Sequence, residues 1–436
     1  MHISFDSSFW ANLLWFVIIM AGAGLIIWLL LFVNKKVFSL LSIKQRGIHL
    51  VFFERMNKVI IIVAILILAF SALDSGASVW KSMLGGTAIV SAVVAFAAQA
   101  SFLGNGVVTE FPALVRLSTA IPGFSYRDFC TNDGSDMMFL DGSGTQLAYQ
   151  VDTWNPDGES LVWVMLPRLT DGAEVRCYYG TELDPNGGLA ASNWPGYAGV
   201  WHMNATSGAE PDMTGSGFDA VPAEGDNSQP ALMVRDGNAG VVGYARVNQP
   251  STTEDSGVRN ALLVPDYDRL ALGGTFTFSG WFKATAVKYW ERVVSRKTDY
   301  LSRGGWEIEL DNSSTRAYMR GGNNSGGYAS FPDLCDGWVN LTLVYSGSAA
   351  TFYANGEVAA SVTVDEVQDN GLPLAIGCNV NARENAFAGS YDEVRLRCGA
   401  SDALRAKADY LTVADASFMK AGAAKSAVPG LMIFVR

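Results

Sequence analysis

The chain has 436 residues, enough for two or three domains, and hydrophobic residues make up 49% of it. Its formal net charge is −11, yet residues 1–100 carry more basic than acidic residues, so the acidic excess lies in residues 101–436. An acidic part without a basic stripe argues against nucleic acid as a partner. The five cysteines show no metal-ligand spacing and indicate no particular redox compartment.

The first hundred residues contain three hydrophobic segments. They predict three membrane helices at about residues 11–33, 50–73 and 83–104. The loop between the first two carries four Lys and Arg residues and is therefore expected in the cytoplasm. We expect an integral protein of the bacterial inner membrane, with the lipid bilayer as a partner. Three full crossings place the remaining chain in the cytoplasm, whereas a third segment that only re-enters the membrane leaves it outside; the exterior is favoured.

The third segment has a face of small residues. These are Gly85, Ala88, Ala92 and Ala95, which recur at helical spacing. Such a face lets membrane helices approach closely, so a homo-oligomer formed through these helices is a candidate arrangement. Helix packing without a pore explains this face equally well.

The order of these features resembles a known family. Three spans, a basic loop and LGGTAIVSAVVAFAAQ (84–99) are similar to the N-terminal region of a small-conductance mechanosensitive channel subunit. GLMIFVR (430–436) resembles the second half of its pore helix. The resemblance implies a channel helix into which a β-rich cassette is inserted, with the tail 414–436 resuming that helix.

Residues 106–188 have the pattern of an antiparallel β-sandwich. FPALVRLST (111–119), SLVWVMLPRL (160–169) and EVRCYYG (174–180) have strand length, and Gly, Asn and Asp cluster between them. Their order resembles an uncharacterised domain family of bacterial surface proteins, which implies a fold but no mechanism. Asp152, Trp154 and Trp163 are assigned to the core or to turns.

Residues 197–413 predict a second, larger β-sandwich with two sheets. TFTFSGWFKA (275–284) alternates cleanly, YANGE (353–357) predicts a hairpin, and SDALRAKADYL (401–411) predicts a short helix with a Ser N-cap. Strands at this spacing favour a jelly roll. FTFSGWFKA, WVNLTLVYSG and FAGSYDEVRL resemble the laminin-G-like, concanavalin A-like lectin module. The predicted fold class is thus an α-helical membrane region (1–105) followed by two all-β domains.

One strand carries the only catalytic candidates. Glu307, Glu309 and Asp311 alternate in WEIELD (306–311), so all three share one face, as in a strand of a glucanase. Their order differs from the glucanase pattern, and an exposed polar face of a sheet explains them as well. We therefore predict that the chain is not an enzyme. His202 is assigned a structural role.

The lectin resemblance also implies ligand sites. Laminin-G-like modules often bind Ca²⁺ through loop oxygens, and the candidate ligands are Asp311, Asn312, Asp392 and Glu393. For Asp392 and Glu393 a structural turn at the last strand is favoured. Glycans bind to exposed aromatic platforms, and the candidate platform residues are Trp290, Tyr300, Trp306 and Tyr328.

Three functions follow from these patterns, in order of preference. The first is a membrane-anchored, non-enzymatic recognition or adhesion protein whose lectin-like sandwich binds a glycan or a protein. The second is a mechanosensitive channel subunit that carries an inserted β-rich cassette. The third is a glycoside hydrolase that uses Glu307, Glu309 and Asp311.

Overall fold

The computed structural model describes most of the chain after residue 92. The described residues are 93–100, 106–180, 194–205, 208–223, 239–248, 261–265, 270, 272, 274–287, 290–381 and 386–427. All of them belong to one compact unit, Ser91–Arg436. Within these ranges no helix has the length and apolar character needed to cross a bilayer. The predicted spans 11–33 and 50–73 lie outside the described residues, as do Gly85, Ala88 and Ala92.

β-strands dominate the described ranges. Those before residue 180 are β1 (Val93–Ala100), β2 (Val108–Ser118), β3 (Met138–Asp141), β4 (Gln146–Leu147), β5 (Tyr149–Thr153), β6 (Glu159–Leu169) and β7 (Glu174–Tyr179), with a 3-10 turn at Tyr126–Asp128. Those between residues 194 and 400 are β8 (Tyr197–Trp201), β9 (Val221–Pro222), β10 (Arg246–Asn248), β11 (Leu262–Val264), β12 (Phe276–Ala284), β13 (Arg292–Ser295), β14 (Glu307–Leu310), β15 (Arg316–Arg320), β16 (Gly326–Ser330), β17 (Val339–Tyr345), β18 (Ala349–Ala354), β19 (Glu357–Thr363), β20 (Leu374–Ile376) and β21 (Gly389–Cys398). The helix α1 (Ala403–Ala414) and the strands β22 (Met419–Ala421) and β23 (Lys425–Ala427) follow.

The first sandwich consists of sheet 1, in the order β22-β1-β7-β3-β4 with β23 also paired to β1, and sheet 2, in the order β2-β6-β5. Alternation along β2 sends Phe111, Ala113 and Val115 into the core between the two sheets. Pro112 is tolerated in this strand because β2 is an edge strand.

The helix prediction for residues 83–104 is wrong over Val93–Ala100. These residues form β1, in which Ala95 lies opposite Tyr178 of β7 and Lys425 of β23. A short apolar run fits a buried strand as well as a helix, and three neighbouring strands supply its backbone partners. The tail does not resume a helix over residues 419–427 either, because β22 and β23 pair with β1.

The second sandwich consists of sheet 3, in the order β10-β21-β12-β17-β18-β19 with β8 also paired to β21, and sheet 4, in the order β16-β15-β14-β13-β20-β11-β9. Its core is formed by the inner faces of both sheets, as the alternation in β12 predicts: Phe276, Phe278 and Phe282 point inward. The predicted YANGE hairpin is confirmed, since Asn355 and Gly356 adopt positive φ between β18 and β19.

The two sandwiches are joined by an apolar cluster and by α1. Trp163 on the outer face of sheet 2 belongs to the same buried cluster as Trp281 on the outer face of sheet 3. The helix α1 begins after Asp402, whose carboxylate accepts a hydrogen bond from the Arg405 N–H (2.8 Å). The predicted Ser N-cap is therefore wrong: Ser401 is buried and instead contacts Thr277.

Candidate functional site

The outer face of sheet 4 concentrates charged and aromatic side chains. In the antiparallel register Glu307 lies opposite Arg320, Glu309 opposite Tyr318, and Tyr318 opposite Tyr328. Directly paired residues share a face of the sheet. The intervening apolar residues point into the core, so the period of two separates a polar outer face from an apolar inner one.

Two glutamates and two arginines form a buried ion network on this face. Arg292 Nε lies 3.2 Å from Glu307 Oε2, and Arg292 Nη2 lies 3.0 Å from Glu309 Oε2. Arg320 contacts Glu307 Oε1 at 3.3 Å and Glu309 Oε1 at 2.5 Å. Ser295 Oγ also donates to Glu307 Oε2 (3.1 Å). Burial raises the pKa of the Glu309 carboxyl, and the positive charges of Arg292 and Arg320 oppose this rise.

This network bears on the three acidic residues that were the catalytic candidates, of which Glu307 and Glu309 lie in β14 and Asp311 directly follows it. Glu307 and Glu309 are fully buried, so the expected exposed polar face is wrong for them. Their carboxylate oxygens contact guanidinium groups, whereas glycoside hydrolysis needs two carboxyl groups that reach a sugar from opposite sides. Asp311 lies at the end of the strand and pairs with Arg316. The absence of catalysis stays a prediction.

Above the network lies a partly exposed group of rings and guanidinium groups that we call the Tyr–Arg patch. Its members are Tyr300, Arg316, Tyr318, Arg320 and Tyr328. The rings of Tyr318 and Tyr328 meet edge to face, with centroids 4.6 Å apart. Arg316 Cζ lies 4.8 Å from the Tyr328 ring, and Arg320 Cζ lies 4.8 Å from the Tyr318 ring. Tyr300 and Tyr328 are 52% and 45% exposed.

The guanidinium groups of the patch hold the rings and are themselves balanced by carboxylates. Arg320 is shared between the Tyr318 ring and the buried glutamates, and Arg316 between the Tyr328 ring and Asp311. Cation–π contacts of this kind are attractive, by about 0.5–1 kcal/mol at exposed sites. The patch therefore presents tyrosine faces, hydroxyl groups and N–H donors with little net charge.

Only two of the four residues predicted to form a glycan-binding platform lie in this patch. Tyr300 and Tyr328 belong to it, and their role in binding stays a prediction. Trp306 is corrected: it is fully buried against Phe276, with ring centroids 4.7 Å apart, so it cannot form part of an exposed platform. Trp290 is partly buried, and its carbonyl oxygen accepts a hydrogen bond from Arg292.

Sequence reasoning missed Tyr318, Arg316 and Arg320. The signal was present, because STRAYMRG (314–321) follows WEIELD (306–311) after a short turn and alternates with the same period. Pairing the two strands as a hairpin would have placed Tyr318 and Arg320 beside Glu309 and Glu307.

The predicted calcium ligands are separated into two places. Asp311 is occupied by Arg316, which competes with a cation, and the adjacent Asn312 adopts positive φ (47°) in the turn after β14. Asp392 Oδ2 accepts hydrogen bonds from the N–H groups of Val241 (2.7 Å) and Val242 (3.0 Å), and its Oδ1 accepts from the Glu393 N–H. Both oxygens of Asp392 thus serve a structural turn.

The comparisons with known proteins agree with this architecture. Residues 255–401 match the family model described as the concanavalin A-like lectin/glucanases superfamily, so the second sandwich contains a concanavalin A-like lectin domain. Residues 133–188 match a family model described as a domain of unknown function (DUF2341). No curated protein matches the chain.

Solved structures of bacterial toxin domains align with about half of the chain. The binding domain of Paraclostridial Mosquitocidal Protein 1 aligns at 13% identity and a TM-score of 0.35, covering 49% of this chain and 52% of that one. The binding domain of Botulinum Neurotoxin DC in complex with SialylT aligns at 14% identity and a TM-score of 0.35, covering 50% and 52%. The chain spans about half the length of these structures.

Proposed function

We propose that the chain is a non-enzymatic recognition protein whose lectin-like sandwich binds a glycan at the Tyr–Arg patch. The observation that supports this proposal most directly is the pair of exposed tyrosine rings, Tyr300 and Tyr328, each in contact with an arginine of sheet 4. Aromatic faces stack on the apolar faces of sugar rings, while neighbouring hydroxyl and N–H groups fix the sugar hydroxyls.

The charge balance of the patch favours neutral sugars over anionic ones. Arg292 and Arg320 are balanced by Glu307 and Glu309, and Arg316 by Asp311. Without excess positive charge, an anionic sugar gains little from long-range attraction. We therefore propose hydroxyl-rich, uncharged oligosaccharides as the ligand class, bound with an affinity that depends little on salt.

The proposal is tested by binding of cello-, laminari- and chito-oligosaccharides, with sialyllactose as the anionic member of the panel. Tyr328→Ala removes one exposed ring and should weaken binding of a neutral hit about tenfold or more, the size of an interface hot spot. Tyr244→Ala is the matched control, since Tyr244 is similarly exposed (40%) and lies outside the patch. Equal affinity of both variants, or preference for the anionic sugar, would refute the proposal.

The alternative hypothesis, that the chain is a glycoside hydrolase, makes a different prediction for the same sugars. If Glu307 acted on a glycosidic bond, incubation with the hit would release reducing ends and Glu307→Gln would stop the release. We propose binding without release, because each carboxylate oxygen of Glu307 and Glu309 contacts an arginine.

We also propose that the apolar segments 11–33 and 50–73 anchor this recognition unit to a membrane. Residues 11–33 are long enough to span a bilayer and carry no charge, and in the second segment residues 59–73 are uncharged, with Glu54, Arg55 and Lys58 near its start; these features support this part of the proposal. Alkaline carbonate extraction of membranes tests it: an anchored chain stays in the pellet, and a chain released to the supernatant is not integrally anchored. Protease accessibility of residues 204–257 in intact cells tests whether the lectin-like domain faces the exterior.

A further inference from the structure

A buried histidine and two buried carboxylates meet where the two sandwiches join. Asp152 lies in β5 of the first sandwich, His202 directly after β8, and Glu393 in β21 of the second sandwich. His202 Nδ1 lies 2.8 Å from Glu393 Oε1 and 3.4 Å from Asp152 Oδ2, and the three donor atoms are all within 4.8 Å of one another. The side chains are at most 3% exposed.

β-Bulges in β5 and β21 direct the side chains of Asp152 and Glu393 towards His202. The pairing of β5 with β6 skips Asp152, and the pairing of β21 with β12 skips Glu393. Such bulges re-aim a side chain out of the regular alternation. Glu393 also adopts positive φ (49°), a conformation that costs a non-glycine residue free energy unless its surroundings stabilise it.

Each carboxylate has one oxygen fixed by neighbours and one directed at His202. Arg395 donates to Glu393 Oε2 at 2.7 Å and 3.2 Å, leaving Oε1 to face the histidine. Thr153 Oγ1 (2.8 Å) and Asn204 Nδ2 (3.3 Å) donate to Asp152 Oδ1. Asp152 Oδ2 is buried and faces His202 Nδ1. Groups that orient the second oxygen of a ligating carboxylate are the usual outer shell of a metal site.

We propose that Asp152, His202 and Glu393 bind one divalent transition-metal ion, such as Zn²⁺ or Mn²⁺, between the two sandwiches. One imidazole nitrogen and two carboxylate oxygens are a ligand set that these ions accept. Metal–ligand bonds of about 2.0–2.2 Å place tetrahedral ligand atoms roughly 3.3–3.6 Å apart. The Asp152–His202 distance of 3.4 Å fits this range, and the His202–Glu393 distance of 2.8 Å has to lengthen by about half an ångström.

The chemistry of this cluster separates it from a calcium site. Ca²⁺ takes six to eight oxygen ligands, whereas this cluster offers two free carboxylate oxygens and a nitrogen. The nearby Asp392 is not available as a third carboxylate, because backbone N–H groups occupy both of its oxygens. The two carboxylates neutralise the charge of a divalent ion, which matches a site closed to solvent.

The proposal also assigns a structural consequence to the ion. Asp152 belongs to the first sandwich, whereas His202 and Glu393 belong to the second. A metal that binds all three would fix the relative position of the two sandwiches and stabilise the folded chain by an amount that grows with the logarithm of the free metal concentration.

The test uses the full chain, purified in detergent without a histidine tag and stripped with a chelator. Zn²⁺ and Mn²⁺ are added, bound metal is counted by mass spectrometry of the elements, and the melting temperature is recorded. We expect one equivalent per chain and a melting temperature that rises with metal but not with Ca²⁺. Co²⁺ bound to the wild-type chain should give visible absorption bands that Zn²⁺ abolishes, a measurement that needs no variant.

Variants distinguish a metal site from a cluster of hydrogen bonds. Asp152→Asn keeps the shape and should abolish the bound equivalent, and Asn204→Ala should weaken affinity about 10–100-fold by releasing Asp152 Oδ1. Asp157→Asn, at an exposed carboxylate outside both the cluster and the buried ion network, is the control and should bind metal as wild type does. Absence of a stoichiometric ion in the wild-type chain, or unchanged binding in Asp152→Asn, would overturn the proposal.

Discussion

Removing Arg292 should destabilise the second sandwich strongly. Its side chain is 4% exposed and contacts both Glu307 and Glu309, which are themselves fully buried. Arg292→Met keeps the length of the side chain but leaves two buried carboxylates to share Arg320. Breaking a buried ion pair by removing one partner costs about 3–5 kcal/mol, because a buried charge loses its compensation. We expect a loss of this size at neutral pH.

The loss should depend on pH with a predictable sign. Burial already raises the pKa of Glu309 in the wild-type chain, and Arg292 is the largest influence that opposes this rise. Without Arg292 the pKa of Glu309 in the folded chain rises further. Between the ordinary glutamate pKa and this raised pKa, the folded variant keeps a proton on Glu309 that the unfolded chain has already released. A raised carboxyl pKa makes unfolding easier as pH increases through that window. The cost of Arg292→Met should therefore shrink as pH falls from 7 towards 4.5.

Urea denaturation followed by tryptophan fluorescence measures both effects. Arg316→Met is the matched control: the Arg316 side chain is 50% exposed, and loss of its pair with Asp311 should cost less than about 1 kcal/mol. The double variant Arg292→Met/Glu309→Leu removes one charge of each sign and should recover much of the lost stability. If Arg292→Met costs no more than Arg316→Met, the ion network does not stabilise the fold as argued.

Two further substitutions probe local structure. Asp402→Ala removes the N-cap of α1 and should lower the free energy of unfolding, measured by urea denaturation, by about 0.5–2 kcal/mol. Asp157→Ala, at an exposed position, is the control and should change it little. Equal effects of the two variants would refute the cap assignment. Gly356→Ala places a Cβ 3.0 Å from Tyr410 Cβ in a backbone with φ +75° and should lower the free energy of unfolding by about 1–3 kcal/mol. At Gly337 an added Cβ meets nothing within 4 Å, so Gly337→Ala is the control and should be near neutral. A loss at Gly337 equal to that at Gly356 would contradict this account.

Short-range pattern predicted the second sandwich well. Alternation in FTFSGWFKA gave the inward phenylalanines, and the Asn-Gly pair gave the β18–β19 hairpin, since both signals depend on local backbone geometry. Val93–Ala100 was predicted wrongly because its partners are distant in sequence. β7 lies about 80 residues later and β23 more than 300 residues later, and an apolar octapeptide does not reveal such partners.

The sites were harder to predict because they are assembled by register and by bulges. Glu307 and Glu309 were found, but their burial depends on Arg292 and Arg320 from two other strands. Asp152 and Glu393 are more than 200 residues apart and meet only where the sandwiches join. A bulge interrupts the regular alternation of a strand, so the sequence pattern does not predict the direction of a side chain at a bulge. For this reason it does not predict that Asp152 and Glu393 both contact His202.

The arrangement of the four sheets explains why the Tyr–Arg patch lies on sheet 4. Trp281 of sheet 3 and Trp163 of sheet 2 belong to one buried cluster, so the first sandwich covers part of the outer face of sheet 3. The helix α1 adds to this junction, where Arg405 donates to the carbonyl oxygen of Thr109 (2.9 Å). The inner faces of sheets 3 and 4 pack against each other and are buried in the core. Tyr300 and Tyr328 remain exposed on the opposite side of the second sandwich, so a ligand bound there leaves the junction and its buried carboxylates undisturbed.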